Sequence, residues 1–256
     1  MTSYKCECSA TVPAGKNRCP ACKAWVWRSA TAKDESIAYD EILSADDFRI
    51  KTGLIDECLG GGVVIGDVIL VGGTPGAGKS TLLLQTSEIL AAQGEVNYIA
   101  AEEDLKAIKA RGVRLGISGA NLRFIPAMGG VADIGELLMT RKPKTIILDS
   151  LDGLVGHDHD SEIKTLEVIK KYTVMLQSVA IVISQVNKDE DFTGLMAKQH
   201  AVDVLLKMYP NEDVRTENGE PVRVLETIKN RHGRAYVEQH YEMGERGLDE
   251  INRVEE

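Results

Sequence analysis

The residues Gly73-Thr74-Pro75-Gly76-Ala77-Gly78-Lys79-Ser80 fit the pattern G-x-x-x-x-G-K-[ST], directly after a run that reads as a strand and opening one that reads as a helix. This is phosphate chemistry. Glycines let successive backbone N–H groups converge on phosphate oxygens, and a helix N-terminus adds partial positive charge. The Lys79 ammonium can reach the β and γ phosphates and the Ser80 hydroxyl can ligate Mg²⁺, with Thr81 next in the nucleotide-binding stretch. A Gly-rich turn without a ligand is the competing reading, and the agreement of both flanking elements with the motif favours ATP.

Hydrolysis needs more than a phosphate cradle. Thr145-Ile146-Ile147-Leu148-Asp149 is an apolar strand ending in an acid that can hold Mg²⁺ through water, although an Asp in that place often serves only as a cap or turn residue. Glu102 and Glu103 end the strand that starts near Val96, and Glu102 is the candidate for orienting and deprotonating water. The alternative is that both are first-turn acids favoured by the dipole of the next helix. Gln185, just beyond the run 179–184, can sense the γ-phosphate and pass its state to the following loop, but an ordinary polar strand-end residue has the same look. Arg111, on the helix after Glu102, is the candidate for stacking on adenine.

A second chemistry sits near the N-terminus. Cys6-x-Cys8, ten residues, then Cys19-x-x-Cys22 supplies four thiols in two close pairs, the donor set of a tetrahedral structural Zn²⁺ with no open position. The C-x-C half is tighter than the usual C-x-x-C, which makes Cys6 the least secure ligand. Too few apolar residues surround the thiols to fold alone, so metal is expected to order this segment, with Trp25 and Trp27 packing on it. Cysteines without metal are the alternative, and Cys58 stands apart.

These groups must be positioned by a scaffold. From residue 67 onward short apolar runs alternate with amphipathic stretches: 68–73 then 79–93, 96–101 then 104–115, 122–126 then 133–141, 145–149 then 162–177, and 179–184. Strands alternating with helices predict βαβ units, hence an α/β fold with a mainly parallel sheet and helices on both faces. Beyond residue 202 strand-like runs dominate, at 203–209, 222–229 and 236–241, and the acidic tail after Gly244 carries no pattern. The expected division is a zinc ribbon over 1–30, a polar linker over 31–47 and an ATPase core over 48–256.

Of the 256 residues 43% are hydrophobic, enough for one full core. No apolar run approaches the ~20 residues of a membrane span, and residues 1–5 lack the apolar stretch of a secretion signal, so a soluble cytoplasmic protein without a membrane partner is expected. The net charge of −9 excludes a surface broadly coated for nucleic acid. DNA contact would be confined to loops carrying Lys188, Lys198, Lys229, Arg231 and Arg234.

Taken together, the chain resembles the bacterial RadA/Sms recombination ATPases over nearly its whole length. The resemblance is carried by Cys19-Pro20-Ala21-Cys22, Thr52-Gly53-Leu54-Ile55-Asp56, Leu59-Gly60-Gly61-Gly62-Val63-Val64, Lys79-Ser80-Thr81-Leu82-Leu83-Leu84-Gln85, Glu102-Glu103 and Lys229-Asn230-Arg231-His232-Gly233. It implies a RecA-like P-loop core. The last segment is similar to the family's K-N-R-F-G motif, with His232 where Phe is usual, and implies that Lys229 and Arg231 reach across a subunit boundary to a neighbour's nucleotide. Hydrolysis then requires a homo-oligomer, expected as a hexameric ring. The resemblance also implies that two loops, roughly 153–161 and 186–198, face a channel holding single-stranded DNA. Of these, the second, with Lys188, Lys198 and His200 against Asp189, Glu190 and Asp191, is the better candidate than the first, with His157, Asp158, His159 and Asp160. Full-length members of the family carry a C-terminal domain resembling the Lon protease, and this sequence stops before it, as either a naturally short member or a truncated one would.

The function implied is a single-stranded-DNA-dependent ATPase of homologous recombination and repair, using ATP, Mg²⁺ and Zn²⁺ on single-stranded or branched DNA, with recombinase or replication proteins as further partners. Two other readings stay open. One is an ATP-controlled DNA-binding mediator or annealing protein with little motor activity. The other is a KaiC-like signalling ATPase that never touches nucleic acid, which the acidic balance favours and the ribbon does not.

Overall fold

The computed structural model describes residues 4–5, 8–12, 19–22, 49–127, 131–185 and 193–252. Cys6, Trp25, Trp27, the linker 31–47 and Lys188 to Asp191 lie outside the described residues. The chain divides into two compact units, Met1–Leu43 and Ser44–Glu256. In the first, β1 (Tyr4–Lys5) pairs antiparallel with β2 (Thr11–Val12).

In the second unit a short antiparallel pair, β3 (Arg49–Ile50) and β4 (Val63–Val64), leads into β5 (Val68–Gly73) and α1 (Lys79–Ala91). There follow β6 (Val96–Ala100), α2 (Leu105–Arg114), β7 (Leu122–Pro126), α3 (Val131–Arg141) and β8 (Thr145–Asp149). Next come α4 (Leu151–Val155), α5 (His159–Leu176), β9 (Val179–Gln185), α6 (Thr193–Ala197) and a 3₁₀ turn (Lys198–His200). The chain closes with β10 (Val204–Arg215), β11 (Pro221–Asn230), β12 (Glu238–Gly244) and β13 (Gly247–Ile251). Among the described residues nine strands form one sheet in the order β13-β12-β11-β10-β5-β9-β8-β6-β7. From β10 to β7 neighbours run parallel, and β10 to β13 form an antiparallel meander.

The apolar strand runs are explained by burial on both faces. Alternate residues of a strand face opposite sides, so Ile69, Val71, Ile147, Ile181 and Ile183 pack with Leu82 and Leu83 of α1, while Leu70, Ile146, Leu148 and Val182 pack with Leu138 of α3 and Leu166 and Ile169 of α5. Each fully buried aliphatic side chain contributes about 1.5–3 kcal/mol relative to exposure. No helix among the described residues is long and apolar enough to cross a membrane.

Three differences from the sequence reading concern the site. The region 153–161 is largely helical, not a loop: Ser150 Oγ accepts from Gly153 N at 3.2 Å to cap α4, and Asp158 accepts from Ser161 N at 3.0 Å to cap α5. Polar capping residues carry the same composition as a loop, which hid both starts. Glu102 and Glu103 are not first-turn acids, because Asp104 caps α2 by accepting from Lys106 N and Ala107 N, both at 2.8 Å. Beyond Gly244 the chain forms β13, docked on α1 by Gln85, which donates to Leu248 O at 3.1 Å and accepts from Leu248 N at 2.9 Å.

Candidate functional site

β5 delivers the chain to the phosphate loop and α1 leaves it. Gly73 has no alternative, since a Cβ there would stand 2.1 Å from the Met208 carbonyl oxygen on β10. Gly78, the N-cap of α1, has φ 106°, a left-handed conformation that side chains resist. No side chain caps α1 and its first turn holds no acid, so its leading N–H groups are free to meet an anion. Lys79 is buried and donates Nζ–H to Gly73 O at 2.6 Å and Thr74 O at 2.9 Å. Burial holds its ammonium below the usual lysine range, against the attraction of Glu102, Asp149 and Asp152.

Beside the loop, Ser80 Oγ donates to Asp149 Oδ1 at 3.3 Å, and Tyr98 OH donates to Asp149 Oδ2 at 2.5 Å. Burial raises the Asp149 carboxyl, opposed by those two hydrogen bonds. A hydroxyl and a carboxylate at that separation suit a hard octahedral cation that keeps most of its waters, so the residues present fit Mg²⁺. Tyr98 carries no sequence signal for this role: inside the apolar run Val96–Ala100 it reads as a core aromatic, and only the pairing of β6 with β8 brings it to Asp149.

The Asp149 carbonyl accepts from Ala101 N at 2.7 Å and Glu102 N at 3.3 Å, bending the chain after β6 over the end of β8. Glu102 is thereby exposed above the loop, where its Oε1 accepts from Gln185 Nε2 at 2.7 Å. Gln185 lies opposite Gly73 in the β5–β9 pairing, so the strand ends converge on the phosphate loop. These groups line a cavity of about 370 Å³ with Arg111, Arg114 and Met243. Arg111 is engaged by Glu103 at 2.6 and 2.8 Å, and Arg114 donates to Glu245 O at 2.7 Å. Arg114 and Met243 have no signal in the sequence, because Met243 arrives from β12, far along the chain.

Lys229 and Arg231 are not brought to this cavity within one chain. They lie where β11 pairs with the start of β10, at the opposite end of β5 from the phosphate loop. Lys229 donates to Gln199 O at 2.6 Å and Val202 O at 2.8 Å, and Arg231 Nη1 lies 2.9 Å from Asp203 Oδ1 with its side chain 63% exposed. His232 Nε2 stands 3.0 Å from Asp67 Oδ1. Lys198 is a correction: it is buried against Glu162 at 2.8 Å and cannot be the exposed DNA contact expected of it. A charged residue in a polar segment reads as solvated unless its burial is known.

In the first unit the thiols of Cys8, Cys19 and Cys22 lie within 4.8 Å of one another, close enough to share one metal ion, and Cys8 Sγ is 3.5 Å from Cys19 Sγ. Hydrogen bonding from the Cys22 backbone, ahead of other causes, brings the Cys19 thiol down to about 6. These donors fit Zn²⁺. Cys58, by contrast, is buried in the second unit, donates to Leu225 O at 3.2 Å, and is pushed up to about 12 by burial, the setting of an inert thiol.

Residues 49–245 match a family described as a family of unknown function, DUF7125. The chain belongs to this family. It is also similar to the DNA repair protein RadA of Salmonella typhimurium strain LT2, 32% identical over 96% of this chain and 58% of that protein. The same protein from Escherichia coli K12 is 31% identical, over 96% of this chain and 58% of the relative, and that of Aquifex aeolicus 29%, over 98% and 60%. The resemblance to RadA/Sms proteins seen in the motifs is thus borne out, and the chain spans about 58–60% of the length of these curated relatives. Among solved structures it is similar to a KaiC-like protein from Pyrococcus horikoshii OT3, with a TM-score of 0.64 and 18% identity over 80% of this chain and 99% of that one. The fold is therefore RecA-like, with a mostly parallel central sheet flanked by helices, as the strand and helix alternation implies.

Proposed function

We propose that this chain is an ATPase that acts on DNA in repair and recombination as a homo-oligomer. The observation that carries the ATPase reading is the meeting of Glu102 and Gln185 at 2.7 Å above a phosphate loop whose Ser80 already contacts Asp149. In this reading the backbone of 73–78 and the α1 N-terminus bind the phosphates, and Lys79 exchanges its carbonyl partners for phosphate oxygens. Ser80 and Asp149 hold Mg²⁺, which supplies charge neutralisation at the phosphates. Glu102, exposed and aimed by Gln185, accepts the proton of the attacking water, and Gln185 reports the state of that position along β9. Arg111, held by Glu103, and Arg114 border the nucleotide.

The DNA role draws on the RadA relatives and on the RadA-like segment 229–233. Since Lys229 and Arg231 stand away from their own chain's phosphate loop, a catalytic role for them requires a neighbouring copy, in keeping with a hexameric ring. Single-stranded or branched DNA is the proposed polymer, recombinase or replication proteins the further partners, and the cytoplasm the place of action. Residues 1–30 are proposed as a zinc ribbon in which Cys6 joins Cys8, Cys19 and Cys22, residues 31–47 as a linker, and 48–256 as the ATPase core.

Steady-state ATP hydrolysis with and without single-stranded DNA tests this, with Lys79→Ala as the control for contaminating activity. Strong stimulation that disappears in the variant is expected. Hydrolysis indifferent to DNA, with no DNA binding, would favour the signalling reading instead. Tight nucleotide-dependent DNA binding with weak hydrolysis would favour the mediator.

A further inference from the structure

Adjoining the end of β9 is a second group of ionisable side chains, which the phosphate chemistry does not use. Lys198, in the 3₁₀ turn, sets Nζ 2.8 Å from Glu162 Oε2 of α5 and donates to Ser184 Oγ of β9 at 2.9 Å. The next residue, Gln185, donates its backbone N–H to Asp152 Oδ2 of α4 at 2.6 Å, while its side chain meets Glu102. The side chains of Lys198 and Glu162 are 4% and 3% exposed, and that of Asp152 is 5%. His157 Nδ1 lies 3.6 Å from Asp152 Oδ1 and His159 Nδ1 lies 3.1 Å from Glu162 Oε2, both rings more than half exposed at the rim.

Three buried ionisable side chains are costly to a fold unless each is satisfied, and apolar residues would fill the same space at less cost. Asp152, His157 and Glu162 come close enough to hold a cation, yet Lys198 already neutralises Glu162 and the Gln185 N–H already takes Asp152. What the arrangement does accomplish is local. Both ends of the Ser184-Gln185 pair are fastened, Ser184 to Lys198 and Gln185 to Asp152, at the point where Gln185 must meet Glu102.

We propose that Lys198, Glu162 and Asp152 form a positioning network for ATP turnover, fixing the end of β9 so that Gln185 aims Glu102, and tying that setting to α6 and the 3₁₀ turn. The effect on turnover rests on the ATPase reading above; the effect on the Gln185 N–H does not. A shift of the 3₁₀ turn reaches the phosphate cavity through Lys198 and Ser184, two side chains, and one strand residue.

Removing one partner would leave a buried unpaired charge, so the informative variant of the full chain is Glu162→Gln/Lys198→Met, which removes both charges at nearly constant volume. Amide hydrogen exchange of Gln185 is expected to quicken by about fivefold or more. Turnover is expected to fall by about tenfold or more with KM for ATP within about threefold, because the loss lies in alignment rather than in nucleotide binding. Adding Gln185→Ala to this background is expected to cost less than about twofold, as the two changes disable one device. Wild-type exchange at Gln185, wild-type turnover, or costs that multiply in full would overturn the proposal. Should the double variant fail to fold, Ser184→Ala cuts the Lys198 tether without touching the charge pair. The same changes at smaller size are expected there, and wild-type behaviour counts against the network. Hydrolysis that is as fast in Lys79→Ala as in the wild type would sink the ATPase reading alone, leaving the exchange result to judge the network.

Discussion

Gln185 Nε2 lies 2.7 Å from Glu102 Oε1, joining the ends of β9 and β6 across the intervening strand β8. Asp149 ends that middle strand and Gly73 stands beside Gln185, so the contact spans the whole mouth of the phosphate loop.

Glu102→Gln is expected to lower ATP turnover by about 10²–10⁴-fold, the range of a lost general base, while nucleotide affinity changes little. The side chain of Glu102 is hydrogen-bonded to Gln185, outside the phosphate loop, so binding is expected to change less than catalysis. Single-turnover hydrolysis beside equilibrium binding of a fluorescent ATP analogue separates the two. Unaltered turnover would remove Glu102 from the mechanism.

Tyr98→Phe deletes the hydroxyl that donates to the buried Asp149 carboxylate. A hydrogen bond to a charged group contributes about 1.5–3 kcal/mol, and denaturant unfolding should lose a comparable amount. The Mg²⁺ concentration giving half-maximal activity should rise, because Asp149 loses one of its two fixed contacts. Equal stability and Mg²⁺ dependence in both proteins would show that the hydroxyl does nothing for Asp149.

Asp67 is raised to about 6, first by burial and then by the nearby Asp203, against the pull of His232 and Lys170. Arg231 faces the same cavity. A carboxyl whose folded pKa exceeds its unfolded value near 3.9 favours the fold most when protonated. Its contribution is full below about pH 4 and is lost as pH rises through about 6. Asp67→Asn should abolish that loss, so the wild type loses stability relative to the variant by about 1 kcal/mol or more between pH 4 and 7. Urea unfolding at both pH values checks the sign, and a variant that declines in parallel with the wild type would contradict it.

The purified chain is expected to hold one zinc ion, and Cys19→Ser to lose it, since Cys19 is the buried member of the three converging thiols. Metal analysis measures both. Chelation should melt the first unit yet leave ATP binding by the second in place. Protein purified under reducing conditions with no bound metal would return these cysteines to the reading without a metal.

The sequence by itself determined the parts whose physics is local. A phosphate loop needs contiguous backbone N–H groups between a strand and a helix, so Gly73 to Ser80 announce it together with both flanking elements. Strands buried on both faces must be continuously apolar, so β5, β6, β8 and β9 were legible as runs. β13 was not, because half-exposed hairpin strands at a sheet edge lack that signature and Gln85, more than 160 residues away, holds it. Only the tertiary structure decided which polar groups meet. Tyr98 with Asp149 and Gln185 with Glu102 are 51 and 83 residues apart, and their contact follows from strand order, which periodicity does not encode. The fate of Lys198 is of the same kind. A lysine amid polar residues is solvated by default, and its burial beside Glu162 depends on where α5 packs against the sheet, a matter of three-dimensional neighbours.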